Sequence, residues 1–118
     1  MADKGTTRYY SDLQEKSVAK LIEGIQSVNS GAGRFGKGDI HKKEASMLIE
    51  CKCVMSPKNS VSVKKEWIDK NKEEAFSQRL SNGVIAINFE PGGENYFVID
   101  EKLFKFLVES LEESSLSF

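Results

Sequence analysis

The sequence predicts an α/β fold, a mixed central sheet flanked by helices in the order α-β-β-β-α-β-β-α. Three observations predict it. Apolar residues at helical spacing recur near both ends of the chain and again over residues 64–80. Between them stand short runs rich in β-branched residues, bounded by Gly, Pro, Asn and Ser. A helical stretch also falls between strand runs, which calls for a crossover connection and a sheet covered on both faces.

Taken in order, residues 1–9 are polar and expected to be loose, as are residues 114–118. Ser11 or Asp12 is placed to cap a helix running to Ile25, with Gln14 or Glu15 where a capping box reaches back. Its apolar face is Val18, Leu21, Ile22 and Ile25, and Glu15 shares that face. An acidic residue heading an apolar stripe is either a cap or a group turned towards a site. Residues 29–38 follow, with glycines at 31, 33, 36 and 38. Such a loop lets backbone amides approach an anion, and Ser30, Gly31, Arg34 and Lys37 are its candidate nucleic-acid contacts, with Lys42 and Lys43 beyond. It is not a Walker loop, because no Gly-Lys-Ser/Thr opens a helix.

Short strands are expected at 38–41 and 46–54, and an edge strand at 60–63. The helix over 64–80 is expected to bury Trp67, Ile68, Ala75 and Phe76, and Ser81-Asn82-Gly83 stops it. Strands follow at 84–89 and 96–99, separated by Pro91-Gly92-Gly93. Asp100 caps a last helix whose Leu103, Phe104, Leu107, Val108 and Leu111 form one stripe, with Phe106 beside it. That stripe is expected to be core or, failing that, a dimer contact.

The 118 residues suit one domain, and 39% hydrophobic with 30% charged residues fits a globular chain. No apolar run approaches the roughly 18 residues of a membrane span, and the first residues lack signal-peptide character. The expectation is a cytoplasmic protein without membrane contact. Cys51 and Cys53 point the same way on one strand and cannot easily bridge; with His41 the only histidine, they make a poor zinc site. Buried, reduced cysteines are expected. The net charge is −1, yet residues 1–72 carry 14 Lys and Arg against 9 Asp and Glu, while residues 73–118 carry 3 against 9. A phosphate-facing surface on the first part remains compatible with that distribution.

The chemistry is concentrated in Gly38-Asp39-Ile40 and Ile49-Glu50-Cys51-Lys52. Side chains alternate along a strand, so Glu50 and Lys52 leave one face and Cys51 the other. Charged residues in a strand as apolar as Met47–Val54 are costly unless paired or bound to a cation. Asp39 and Glu50 together would hold a hard cation such as Mg²⁺, with the Lys52 ammonium beside it to handle a water.

This order of Gly-Asp and Glu-x-Lys behind a helix glutamate resembles the PD-(D/E)xK nuclease superfamily, the restriction-endonuclease-like fold. Within it, the chain is most similar to small Holliday junction resolvases of the archaeal type and related phage enzymes. The residues that carry the likeness are Glu15, Ser30-Gly31-Ala32, Lys37-Gly38-Asp39 and Glu50-Cys51-Lys52, and Gly38 stands where that pattern has proline. The resemblance implies that Asp39, Glu50 and the backbone carbonyl of Cys51 ligate Mg²⁺ or Mn²⁺. It implies that Lys52 handles the nucleophilic water and that Glu15 binds a second metal or its waters. Ser30 would touch the scissile phosphate. The implied activity is a metal-dependent endonuclease cutting branched DNA as a homodimer, in the host-cell cytoplasm if phage-encoded. Two other readings share the fold: a non-catalytic nucleic-acid-binding or regulatory protein, and a repair or restriction nuclease acting on ordinary duplex, or one acting on RNA.

Overall fold

A computed structural model describes residues 6–27 and 39–116. The elements are helix α1 (Thr7–Ile22), strands β1 (Ile25–Gln26) and β2 (Asp39–Lys42), a single 3₁₀ turn (Lys43–Ala45), strand β3 (Met47–Lys52), helix α2 (Lys65–Ser77), strands β4 (Asn82–Asn88) and β5 (Asn95–Val98), and helix α3 (Glu101–Leu116). The five strands form one mixed sheet in the order β1-β2-β3-β4-β5. All neighbours are antiparallel except β3 and β4, the parallel pair that α2 connects. This is the α/β class, and the order of helices and strands roughly matches the expected one.

One strand differs in identity. Residues 60–63 form no strand, while Ile25 and Gln26, expected at the end of the first helix, make the edge strand instead. The helix stops because Glu23 takes a left-handed conformation with φ 54°, and the Gly24 N–H closes on the Ala19 carbonyl at 2.8 Å. Its start is earlier than Ser11 or Asp12. The Tyr9 N–H donates to the Thr6 hydroxyl at 3.1 Å, so Thr6 is the cap and residues 7–9 are helical.

The two faces of the sheet are covered unequally. Under α1 lies the apolar core of Val18, Ile40, Ile49, Val84 and Ala86, joined by Leu103 and flanked by Met47, Cys51 and Ile99. Leu21 and Ile25 stay exposed, so the α1 stripe narrows to Val18 with Ala19 and Ile22 beside it. Both cysteines are free and only half-buried; Cys51 packs on this core, and the Cys53 sulfur stands 3.8 Å from the Ser11 hydroxyl.

α2 covers the other face. Its buried positions are Asn71 and Ala75, whereas Phe76, expected in the core, is 84% exposed. Phe76 follows Ala75 by one residue, about 100° around the helix, and so turns away from the sheet. The close approach of α2 to β4 depends on Gly83, where an added Cβ would sit 2.2 Å from Asn71 Oδ1. Asn71 in turn donates to the Leu48 carbonyl at 3.4 Å. α2 ends as expected before Ser81-Asn82-Gly83, and Arg79 takes φ 62° in the turn.

Polar side chains pin both ends of the β3–β4 pair. At the start, the Ser81 N–H donates to the Ser46 hydroxyl at 2.8 Å and the Asn82 N–H to the Ser46 carbonyl at 2.9 Å. At the finish, the Val54 N–H donates to buried Asn88 at 3.0 Å. Beneath them, buried Gln14 of α1 directs Nε2 at the Lys52 carbonyl (3.2 Å), the Ala86 carbonyl (3.3 Å) and Asn95 Oδ1 (3.3 Å). Three acceptors around one nitrogen fix which way this amide points.

α3 begins as expected, with the Leu103 N–H donating to Asp100 Oδ1 at 2.9 Å. The rest differs from expectation. Of its apolar stripe only Leu103 is buried; Phe104, Phe106, Leu107, Val108 and Leu111 are exposed. The helix leaves the body after its first turn, and it continues through 114–116, which had been expected to fray. Among the described residues no helix is long and apolar enough to cross a membrane.

Candidate metal site

The site grows from the β2–β3 register. Asp39 is the first residue of β2 and stands opposite Glu50 of β3. Cross-strand partners share a face, and alternation puts Lys52 on that face too. Ile40 and Ile49, their neighbours in the chain, go the other way into the core under α1. The sequence pattern of acid, apolar, acid, thiol, amine therefore sorts itself into a dry side and a chemical side.

α2 roofs the chemical side and supplies a third carboxylate. Asp39, Glu50 and Glu74 each offer an oxygen, and the three lie within 4.8 Å of one another. Asp39 is 7% exposed, and the other two are half-buried. The Lys52 ammonium is 3.1 Å from Glu50 Oε2 and 4.7 Å from the centre of the Trp67 ring. Trp67 restricts where that ammonium goes by cation–π attraction, while Glu50 holds it at the edge of the carboxylate group.

Three carboxylates in so small a space repel one another. A hard divalent cation resolves that conflict, since Mg²⁺ and Mn²⁺ prefer an all-oxygen donor set completed by water. The donor chemistry here fits such an ion. β2 begins opposite Glu50, so Cys51 and Lys52 run past its described start. Cys51, whose carbonyl the resemblance implies as a ligand, stands on that stretch between Glu50 and Lys52 in the chain.

Glu15 occupies a different position from the three. It approaches from the α1 side, where Gln26 Nε2 donates to it at 3.3 Å. Gln26 pairs with Ile40, a residue of the core face. Burial raises the Glu15 pKa above the ordinary carboxylate range; the Gln26 hydrogen bond pulls the other way, and Asp12 adds to the rise. The Cys51 thiol between the two groups is pushed far up, first by burial, then by the charges of Glu15 and Asp39. It is held as a neutral packing group rather than a nucleophile.

Of the candidate nucleic-acid contacts, Ser30, Gly31, Arg34 and Lys37 lie outside the described residues. Lys42 donates to the Glu23 carbonyl at 3.1 Å and stands 3.8 Å from Glu44, so it ties the α1–β1 turn to the sheet. Lys43 is exposed in the 3₁₀ turn. His41, on the face of Asp39, is held between Ser27 Oγ at 3.3 Å and Gln78 Oε1 at 2.7 Å.

Sequence reasoning passed over Glu74. Its signal lies in the α2 spacing. Trp67, Asn71, Glu74, Ala75 and Gln78 fall at i, i+4, i+7, i+8 and i+11, one face of a helix that crosses the sheet. Scored for apolar residues alone, that face is weak, with Asn and Glu at its centre. A polar group at the centre of a buried stripe is the informative observation. Searches of known protein families, curated proteins and solved structures find no match to this chain.

Proposed function

We propose that the chain is a divalent-metal-dependent endodeoxyribonuclease, with branched DNA as its substrate. The observation that carries this reading is the meeting of Asp39, Glu50 and Glu74 beside the Lys52 ammonium. The PD-(D/E)xK resemblance of Asp39, Glu50 and Lys52 supports hydrolysis of a phosphodiester over simple cation storage. Likeness to the junction resolvases supplies the branched substrate and the pairing of two copies.

Mg²⁺ or Mn²⁺, when bound, would supply a Lewis acid at the phosphate and lower the pKa of a coordinated water. Asp39, Glu50 and Glu74 would hold the ion, each offering a carboxylate oxygen. Lys52, steadied by Glu50 and Trp67, orients the attacking water and neutralises charge gathering on the phosphate oxygens. The basic first part of the chain attracts the nucleic-acid backbone.

The test incubates purified protein with labelled four-way junctions, flaps, linear duplex and RNA, with Mg²⁺ and with EDTA. Metal-dependent nicking that prefers the junction supports the reading, and its absence from every substrate overturns it. Nucleic-acid binding without cleavage would move the chain to the binding class.

A further inference from the structure

We infer that two copies of this chain pair through α3, packed antiparallel about a two-fold axis near Leu107 and Val108. This gives a surface to the pairing of two copies already included in the proposed function, and its test requires neither metal nor DNA.

The helix leaves the body with its apolar side bare. Phe104, Leu107, Val108 and Leu111 follow i, i+3, i+4, i+7 and form a stripe along it, with Phe104 60% and Leu111 69% exposed. Only Leu103, at the edge of this stripe, reaches the core. An exposed contiguous apolar stripe rimmed by charges marks an interaction surface rather than ordinary scatter.

The charge pattern selects the occupant and its direction. The first half of α3 carries Glu101, Lys102 and Lys105; the second carries Glu109, Glu112 and Glu113. The halves are therefore of opposite sign. A second copy laid parallel would set the acidic halves side by side. Laid antiparallel, it sets each basic half beside the partner's acidic half, and the helix dipoles also oppose. With the axis between Leu107 and Val108, Phe104 meets the partner's Leu111 and Lys105 comes beside the partner's Glu112. Symmetry makes each of these contacts twice. The stripe is continuous with a cleft of about 590 Å³ lined by Met47, Leu103, Phe106 and Leu107, so the surface extends onto the body at the base of the helix.

Sedimentation velocity of the full chain over a range from about 1 to 200 μM tests this, the range spanning micromolar dimers. The expected result is a concentration-dependent dimer that Leu107→Glu converts to monomer without changing the circular-dichroism melt of the body. Reversing one charge, Lys105→Glu or Glu112→Lys, should weaken the dimer by about threefold to thirtyfold, two surface pairs being lost at once. The double reversal, Lys105→Glu with Glu112→Lys, should restore it to within about threefold of the original. The charge variants lie on the exposed face of the helix and do not depend on Leu107 tolerating glutamate. A chain monomeric throughout the range overturns the inference. So does a dimer indifferent to these substitutions, or one that the double reversal leaves as weak as the single ones.

Discussion

Asp39 and Glu50 are direct partners across the antiparallel β2–β3 pair, so the two carboxylates are brought together by backbone register. Glu74 reaches the same space from α2, by a contact that depends on helix packing. The two origins give different mutational behaviour. Asp39→Asn or Glu50→Gln should abolish Mg²⁺-dependent nicking while leaving DNA binding largely intact. Glu74→Gln should weaken Mn²⁺ binding at least about tenfold, read by calorimetry, with the fold unchanged in circular dichroism. Unaltered Mn²⁺ affinity in that variant would remove Glu74 from the site.

Gly83 sets how closely α2 lies on the sheet. Gly83→Ala should drive its new Cβ against Asn71 Oδ1, at a cost of about 1–3 kcal/mol in chemical denaturation. Asn71 precedes Glu74 by one helical turn on the same face, so the displacement passes to the third carboxylate. Metal affinity should fall along with stability. A variant as stable as the parent would show that the helix yields freely at this point.

Gln14 is the stay beneath the ends of β3, β4 and β5. Gln14→Leu leaves the Lys52 and Ala86 carbonyls without that donor and should cost about 1–3 kcal/mol. Gln14→Glu should be worse at neutral pH, because a buried carboxylate would face three acceptors. Its deficit should shrink towards acid pH as the new group protonates. Equal stability of the two variants at pH 7 in urea unfolding would contradict this account.

Asp100 gives a pH dependence of known sign. Its pKa is lowered, first by the Leu103 N–H it accepts and then by Lys72, whose ammonium is 3.1 Å away. A carboxylate with a depressed folded-state pKa contributes stability above its unfolded-state pKa, and that contribution disappears as pH falls through the folded-state value. Asp100→Asn can still cap α3 and should flatten this acid limb, whereas Asp100→Ala should cost about 1 kcal/mol at neutral pH. Melting curves from pH 2 to 7 would show an unchanged acid limb in Asp100→Asn if the account is wrong.

Glu15 carries the opposite sign. Burial has raised its pKa, so the native state binds this proton more tightly than the unfolded chain does, and stability falls as pH rises from the unfolded-state value through the raised one. Glu15→Gln should remove that fall and leave the body at least as stable at pH 7. If Glu15 acts through a second metal or its waters, as the resemblance implies, the same variant should lose nicking at least about tenfold while Mn²⁺ affinity at the three carboxylates persists. Full cleavage by Glu15→Gln would confine Glu15 to packing against Gln26.

Much of the fold was legible in the sequence because its strands and caps carry local signals. The alternation around Glu50, the Asp100 cap and the Ser81-Asn82-Gly83 stop all act within a few residues. What escaped depends on distant partners. Ile25 extends the helical period of α1, yet pairing with His41 makes it strand, and periodicity cannot register a pairing. Phe76 and the α3 stripe look like core because they are apolar, although burial needs a facing surface as well as a greasy side chain. Glu74 was missed for the converse reason: its position on the sheet-facing side of α2 says more than its polarity. The β2–β3 half of the candidate site was therefore readable, and the part contributed by helix packing was not.

The hydrogen bonds at Ser46 have a consequence at the far end of β3. Were β3 to slide by one residue against its neighbours, Glu50 and Lys52 would swing into the oily layer below α1, and Ile49 would emerge in their place. Ser46 resists such slippage by grasping the first residues of the neighbouring strand, much as a zip is aligned at its lowest tooth. The carboxylate end of the strand is thus kept in step by a serine four residues before Glu50, and loosening that serine would misalign the acids without touching them.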